Sequence, residues 1–184
     1  MRALAIAGML LAATLLACSG SGRTASTAVA LDPAVVRALL AERDTLVALP
    51  PASSSDTLIG MNRTVCYGTC PAYALIIQGD GRVFYNGHRY VERTGRAESR
   101  LDRAAMDGLL QAVDRSGILE ISDTLGCPYS HTDAASALIT VRVNGVERQI
   151  RHYHGCRGFA EREAILRLED AIDSIVQVQQ WIGR

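Results

Sequence analysis

Lysine is missing altogether. All 19 basic residues are arginine, 19 acidic residues match them, and the formal net charge at pH 7 is zero. No stretch gathers charge of one sign, and neither end forms an acidic or basic tail. A nucleic-acid binder carries a clustered basic surplus, so no nucleic-acid partner is expected. Motifs of common chemistries are lacking too. No serine sits in a Gly-x-Ser-x-Gly elbow. Gly79-Asp80-Gly81 is too short for a phosphate loop and continues into a strand rather than a helix. Cys66 and Cys70 have three residues between them, not the two of the common redox motif, and no helix start faces them to stabilise a thiolate. Beyond the first residues, no apolar run is long enough to span a bilayer. These gaps point away from an enzyme, and no cofactor is expected.

What is present first is an address. Met1-Arg2 precedes an apolar run from Ala3 to Leu16, which ends Leu15-Leu16-Ala17-Cys18-Ser19. A spanning helix needs roughly 20 apolar residues, so this run is the size of a signal-peptide core. Its ending resembles the lipobox of bacterial lipoproteins. The resemblance implies cleavage after Ala17, a thioether lipid on Cys18 and acylation of the new amino terminus with chains of the palmitate class. Several chains anchor stably, because each buried CH₂ adds about 0.8 kcal/mol. Ser19 implies delivery to the outer membrane, facing the periplasm. The expected partners are the membrane, through the lipid, and another envelope protein.

The expected organisation is a signal peptide over 1–17, a lipidated flexible tether over 18–30, an amphipathic helix with a Pro/Ser linker over 31–56, and a single α+β domain over 57–184. Asp32-Pro33 reads as an N-cap and first helical residue, and the apolar spacing from Val35 predicts a helix to Val47. Pro50-Pro51-Ala52-Ser53-Ser54-Ser55 breaks it. Strands are expected over Leu58–Val65, Ala72–Gln78, Arg82–Asn86, His88–Glu92, Ile118–Ile121, Ser136–Val143 and Val146–Tyr153. Asn144-Gly145 is the strongest short hairpin signal. Asp102 caps a helix over Arg103–Arg115 that Gly117 ends, and a last helix runs from Ala160 to Gln179. The fold class expected is α+β, an antiparallel sheet of hairpins with two helices packed on one face, plus the N-terminal amphipathic helix.

Cys66, Cys70, Cys127 and Cys156 remain once Cys18 is lipidated. Four cysteines in an oxidising compartment suggest two disulfides, and their spacing leaves three connectivities open. The histidines allow an alternative reading, a zinc-binding or hydrolytic protein using Cys127, His131, His152 and His154. His152 and His154 alternate on one strand face, and imidazole with thiolate suits zinc. An oxidised cysteine cannot ligate, so ordinary hydrogen bonding is the leading expectation for all three histidines. A triad of Asp133, His131 and Ser130 or Ser136 is weaker still, because an Asp here more often caps a turn. Asp170 and Asp173, with Arg167 one turn earlier, read as a solvated helix face. The six tyrosines are spread among strands and turns. The expected binding surface comprises Tyr67, Asp133, His152 and His154.

Several groups in order carry a family resemblance: Cys66-Tyr67-Gly68-Thr69-Cys70-Pro71-Ala72-Tyr73, Gly79-Asp80-Gly81-Arg82-Val83, Tyr85-Asn86-Gly87, Thr132-Asp133, Asn144-Gly145, His152-Tyr153-His154-Gly155, and Leu168-Glu169 to Ile172-Asp173 with Trp181. From Thr57 to Trp181 the chain resembles the bacterial domain of unknown function 6438. The Cys-x-Gly-x-Cys-Pro-x-Tyr motif is the most specific part. The family brings no established activity. Cys127 and Cys156 are additions to its pattern, which implies that they pair with each other and leave Cys66 to Cys70, a tight loop in which Gly68 supplies the unusual backbone angle. Closing the longer loop, about 30 residues, contributes roughly 3–4 kcal/mol in the chain-entropy account.

Overall fold

The structure, a computed structural model, describes residues 31–49, 56–122 and 124–183. The expected signal peptide, Cys18, the tether to residue 30 and the linker from Pro50 to Ser55 lie outside the described residues. In chain order the elements are α1 (Pro33–Leu40), β1 (Leu58–Arg63), β2 (Ala72–Gln78), β3 (Arg82–Arg89), β4 (Gly95–Arg100), α2 (Arg103–Ser116), β5 (Tyr129–Ser130), β6 (Ser136–Val143), β7 (Val146–Tyr153), β8 (Cys156–Arg157), α3 (Arg162–Val176) and α4 (Gln179–Ile182). Six strands form one antiparallel sheet in the order β4-β3-β2-β1-β6-β7, and β5 with β8 makes a short separate ribbon. The fold class is α+β, as the strand and helix pattern predicts.

Alternation along the strands sorts side chains onto two faces. Ile59 and Met61, Tyr73, Leu75 and Ile77, Val83 and Tyr85, Ile139 and Val141, and Ile150 form one buried face. The stripes of α2 (Met106, Leu109, Val113) and α3 (Ile165, Leu168, Ile172, Val176) cover it. Asp102 caps α2 by accepting from the Ala105 amide at 2.8 Å, and Gly117 ends it at φ 62°. Asn144 and Gly145, both at positive φ, make the tight turn that sets β7 against β6.

The opposite face is also covered. Leu58, Ala74 and Ile76 pack under Leu39 and Leu40 of α1, so the N-terminal helix docks on the sheet. Two asparagines fasten it. Asn62, Ala74 and Asn86 lie side by side on β1, β2 and β3. The methyl of Ala74 lets the helix end come close. Asn62 Nδ2 donates to the Ala41 carbonyl and Asn86 Nδ2 to that of Leu40, each at 2.9 Å. Helix ends leave their last carbonyls without partners. Here the sheet supplies the donors, and α1 stops at Leu40 instead of reaching Val47.

Other boundaries also differ from expectation. β1 ends at Arg63, not Val65, as the chain turns into the Cys66 loop. No strand spans His88–Glu92. Gly87 and Gly95 face each other across the β3–β4 hairpin, and a Cβ on Gly87 would lie 2.1 Å from the Arg93 carbonyl oxygen. Residues 118–121 form a turn rather than a strand, with the Glu120 amide bonded back to Gly117. The last helix is broken at Gln177, which sits at φ 56°. That break folds α4 back, so that Trp181 stacks on Tyr85 with ring centroids 4.6 Å apart.

Replacing Asn62 or Asn86 by alanine removes one of the donors that stop α1. Each change is expected to loosen docking of the helix by about 1 kcal/mol. Hydrogen exchange should then quicken in α1 while the sheet amides keep their protection.

Candidate functional site

One row of side chains crosses four adjacent strands on the α3-covered face. Register places Tyr73 of β2 beside Arg63 of β1, Arg63 beside Ala137 of β6, and Ala137 beside His152 of β7. Towards the middle of the sheet this face is apolar; at this row it turns polar. Ala137 projects only a methyl and leaves room between Arg63 and His152. α3 lies over the gap and inserts Glu169, with Asp173 one turn later. Ile165, Glu169, Ile172 and Val176 are all buried positions of that helix.

Glu169 is 1% exposed. Its Oε1 meets His152 Nδ1 at 2.6 Å, and its Oε2 meets His154 Nε2 at 2.8 Å and Arg63 Nη1 at 2.9 Å. An ionised carboxylate only accepts, so His152 Nδ1 and His154 Nε2 both carry protons. Arg63 also donates from Nε and Nη2 to Asp173 Oδ2, at 3.1 and 2.8 Å. The Tyr73 hydroxyl accepts from Arg63 Nε at 3.0 Å and donates to Asp173 Oδ1 at 2.6 Å. Burial alone would push the Glu169 carboxyl up; bonds from His152 and His154 and the Arg63 charge outweigh it and hold it at about 2. Asp173 goes the other way. Burial and the neighbouring Glu169 charge raise it despite Arg63 and Tyr73. Burial also raises the Tyr73 hydroxyl, so it stays a donor. His152 Nε2 is buried and, among the described residues, without a hydrogen-bond partner, and the Phe159 ring stands edge-on to the imidazole at 5.8 Å.

Both disulfides lie at this same end of the sheet. Cys66 pairs with Cys70 and Cys127 with Cys156, with Cα separations of 5.7 and 5.4 Å, inside the roughly 7 Å that a disulfide spans. The first bond closes the loop between β1 and β2. The second ties the segment before β5 to β8. The loops are stitched together by backbone bonds. The Tyr67 amide donates to the Asp133 carbonyl at 2.9 Å, and that of His131 to the Gly155 carbonyl at 3.1 Å. The Tyr153 hydroxyl donates to the His131 carbonyl at 2.7 Å. Gly155 admits no side chain, because a Cβ there would lie 2.4 Å from the His131 oxygen. On this braced end two tyrosines stand in solvent, Tyr67 at 90% exposure and Tyr129 at 73%.

The candidate residues therefore divide. Tyr67 and Asp133 adjoin at the surface. Asp133 shapes its turn at φ 72° and accepts from the Thr132 hydroxyl at 2.8 Å. His152 and His154 converge below, on Glu169. His131 stays outside that cluster, and Cys127 is consumed by its disulfide. Among the described residues Ser130 and Ser136 make no bond to a histidine, so no triad assembles. Asp173 is not on a solvated face; it is the main partner of Arg63. Arg63, Tyr73 and Glu169 join the two histidines here, although residue spacing assigns none of the three to a site and only Tyr73 and Glu169 stand among the groups of the family resemblance. The sequence did carry a signal for Glu169, a carboxylate in the apolar stripe four residues after Ile165.

The model of one protein family, a domain of unknown function (DUF6438), matches residues 57–176. No curated protein matches the chain.

Glu169 titrates at about 2 when folded against an ordinary 4.5. Its stabilising contribution is complete above the ordinary value and disappears as pH falls through the folded one. The shift corresponds to roughly 3 kcal/mol. Urea midpoints of wild type and Glu169→Gln should differ most near neutrality and converge as pH falls from about 4.5 towards 2. A difference that stays constant over that window contradicts the assignment. Asp173, shifted upward by burial and by the Glu169 charge, adds a trend of opposite sign that weakens in Glu169→Gln.

Proposed function

We propose that this chain, which belongs to the DUF6438 family, is a lipid-anchored protein of the bacterial cell envelope whose domain is a non-enzymatic binding module. Cys18 carries the lipid, the tether follows, and the domain faces the periplasm from the outer membrane. The partner is another envelope protein. The observation that carries the binding reading is Tyr67. A large aromatic side chain stands almost wholly in water on a loop that a disulfide and the bond to Asp133 hold rigid. Tyrosine offers apolar area with a polar tip at low entropic cost. Tyr129, also exposed, lies four residues from Asp133, within about 14 Å along the chain, and is the second aromatic ring on this end of the fold. Rigid loops lower the ordering cost of association. The two disulfides support maturation where thiols oxidise.

The anchor is tested by intact mass and fractionation. The mature chain should begin at Cys18, carry acyl mass and sediment with membranes, whereas Cys18→Ala should lose both the acyl mass and the membrane association. An unacylated wild-type chain in the soluble fraction contradicts this part of the reading.

The binding face is tested in cells with the full chain. A photo-crosslinking residue at Tyr67 should capture one discrete partner, and the same residue at Asp107 on α2 should not. Tyr67→Ala with Tyr129→Ala should weaken binding of that partner at least about tenfold, or about 1.4 kcal/mol, with an unchanged unfolding midpoint. Equal capture from both positions counts against a binding face at the disulfide end.

A further inference from the structure

We propose that His152, His154 and Glu169 form a binding site for a divalent transition-metal ion of the zinc class. Their donor atoms all lie within 4.8 Å of one another. Two come from the end of β7 and one from α3, so packing of the helix on the sheet assembles the set. The chemistry matches zinc, which takes imidazole nitrogen at about 2.0–2.1 Å and carboxylate oxygen at about 2.0–2.2 Å. Such bonds place neighbouring donors roughly 3.3 Å apart. With Oε1 as the ligand atom, the 2.6 Å contact to His152 Nδ1 would open by about 0.7 Å around the ion, and His154 Nε2, now 2.8 Å from Oε2, would turn to the ion instead.

The surroundings suit a cation despite Arg63. Asp173 takes two of the guanidinium nitrogens and offsets its charge. With neutral imidazoles, Arg63, Glu169 and Asp173 sum to one negative charge. Glu169 can offer Oε1 to the ion while Oε2 keeps its bond to Arg63, which is the outer support that fixes a ligating carboxylate. The His152 proton then moves to Nε2, which no other group among the described residues engages, and the His154 proton moves from Nε2 to Nδ1 of that partly exposed side chain. Desolvation of the His152 Nε2 proton opposes binding, and three metal–ligand bonds outweigh it. His152 and Glu169 are shut away from water, whereas the His154 side chain is 28% exposed. The ion therefore enters past His154, and its fourth position opens there to water or to a group from outside. Thiolates take no part, since Cys127 and Cys156 hold each other.

Zinc chloride titrated by calorimetry into the metal-stripped full chain, purified in detergent without a histidine tag, should bind at one per chain with a dissociation constant of about 1 μM or tighter. Elemental analysis after dialysis should return the same stoichiometry. His154→Ala, at a partly exposed position, should keep the fold and weaken zinc at least tenfold, and His131→Ala should leave it unchanged. Cobalt(II) should give visible absorption in the wild type that His154→Ala abolishes. No saturable zinc, equal affinity in His154→Ala, or loss with His131→Ala alone would each overturn the site.

Discussion

A carboxylate almost sealed from water has to find in the protein what water would have given it. Glu169 finds two imidazoles and a guanidinium, and each of those must itself be held in place. Removing a charged group from water costs several kcal/mol unless the geometry around it is complete. That requirement fixes the end of the sheet. It sets how α3 lies, since Glu169 and Asp173 reach Arg63 together only in one orientation. It sets the register of four strands, because Tyr73, Arg63, Ala137 and His152 must lie in one row. A slip of one residue would turn each of those side chains to the other face.

The two faces of the sheet use the same device for different ends. On one, Ala74 lies between Asn62 and Asn86, and the small side chain lets two amides reach the carbonyls where α1 stops. On the other, Ala137 lies between Arg63 and His152, and the space admits Glu169. Above that second row the loops are tied by two disulfides and by the Tyr67–Asp133 and His131–Gly155 backbone bonds. A rigid surface bearing exposed tyrosines thus stands over a largely buried polar base of Glu169, Asp173, Arg63 and Tyr73. The metal site and the binding face would share one end of the molecule, so an ion that orders His154 would act directly beneath the Gly155 turn.

Much of the fold was legible. The Asn144-Gly145 hairpin, the Asp102 and Gly117 ends of α2 and the β2 strand follow from local chemistry, which acts over a few residues and leaves its mark in the sequence. Most of the differences fall where distant groups intervene. α1 stops early because Asn62 and Asn86 meet it from the sheet. The run at 118–121 has strand composition but bonds to its own turn. The last helix breaks where Trp181 must reach Tyr85. Of the candidate site, Tyr67 and Asp133 were legible as turn residues, and His152 with His154 as one strand face. Asp173 was misread, because its spacing from Arg167 and Asp170 carries no trace of Arg63, 110 positions away.

The sequence by itself determined the alternation that makes five of the six sheet strands, all but the edge strand β4, the caps and turns that bound most of them, and an even set of cysteines after Cys18. It also placed a glutamate in an apolar helical stripe, where burial without partners would be prohibitive. Only the tertiary structure decided which partners those are. Strand register and helix docking join residues far apart in the chain, and a pattern of period 2 or 3.6 fixes which way a side chain faces within its own element but not what stands opposite it.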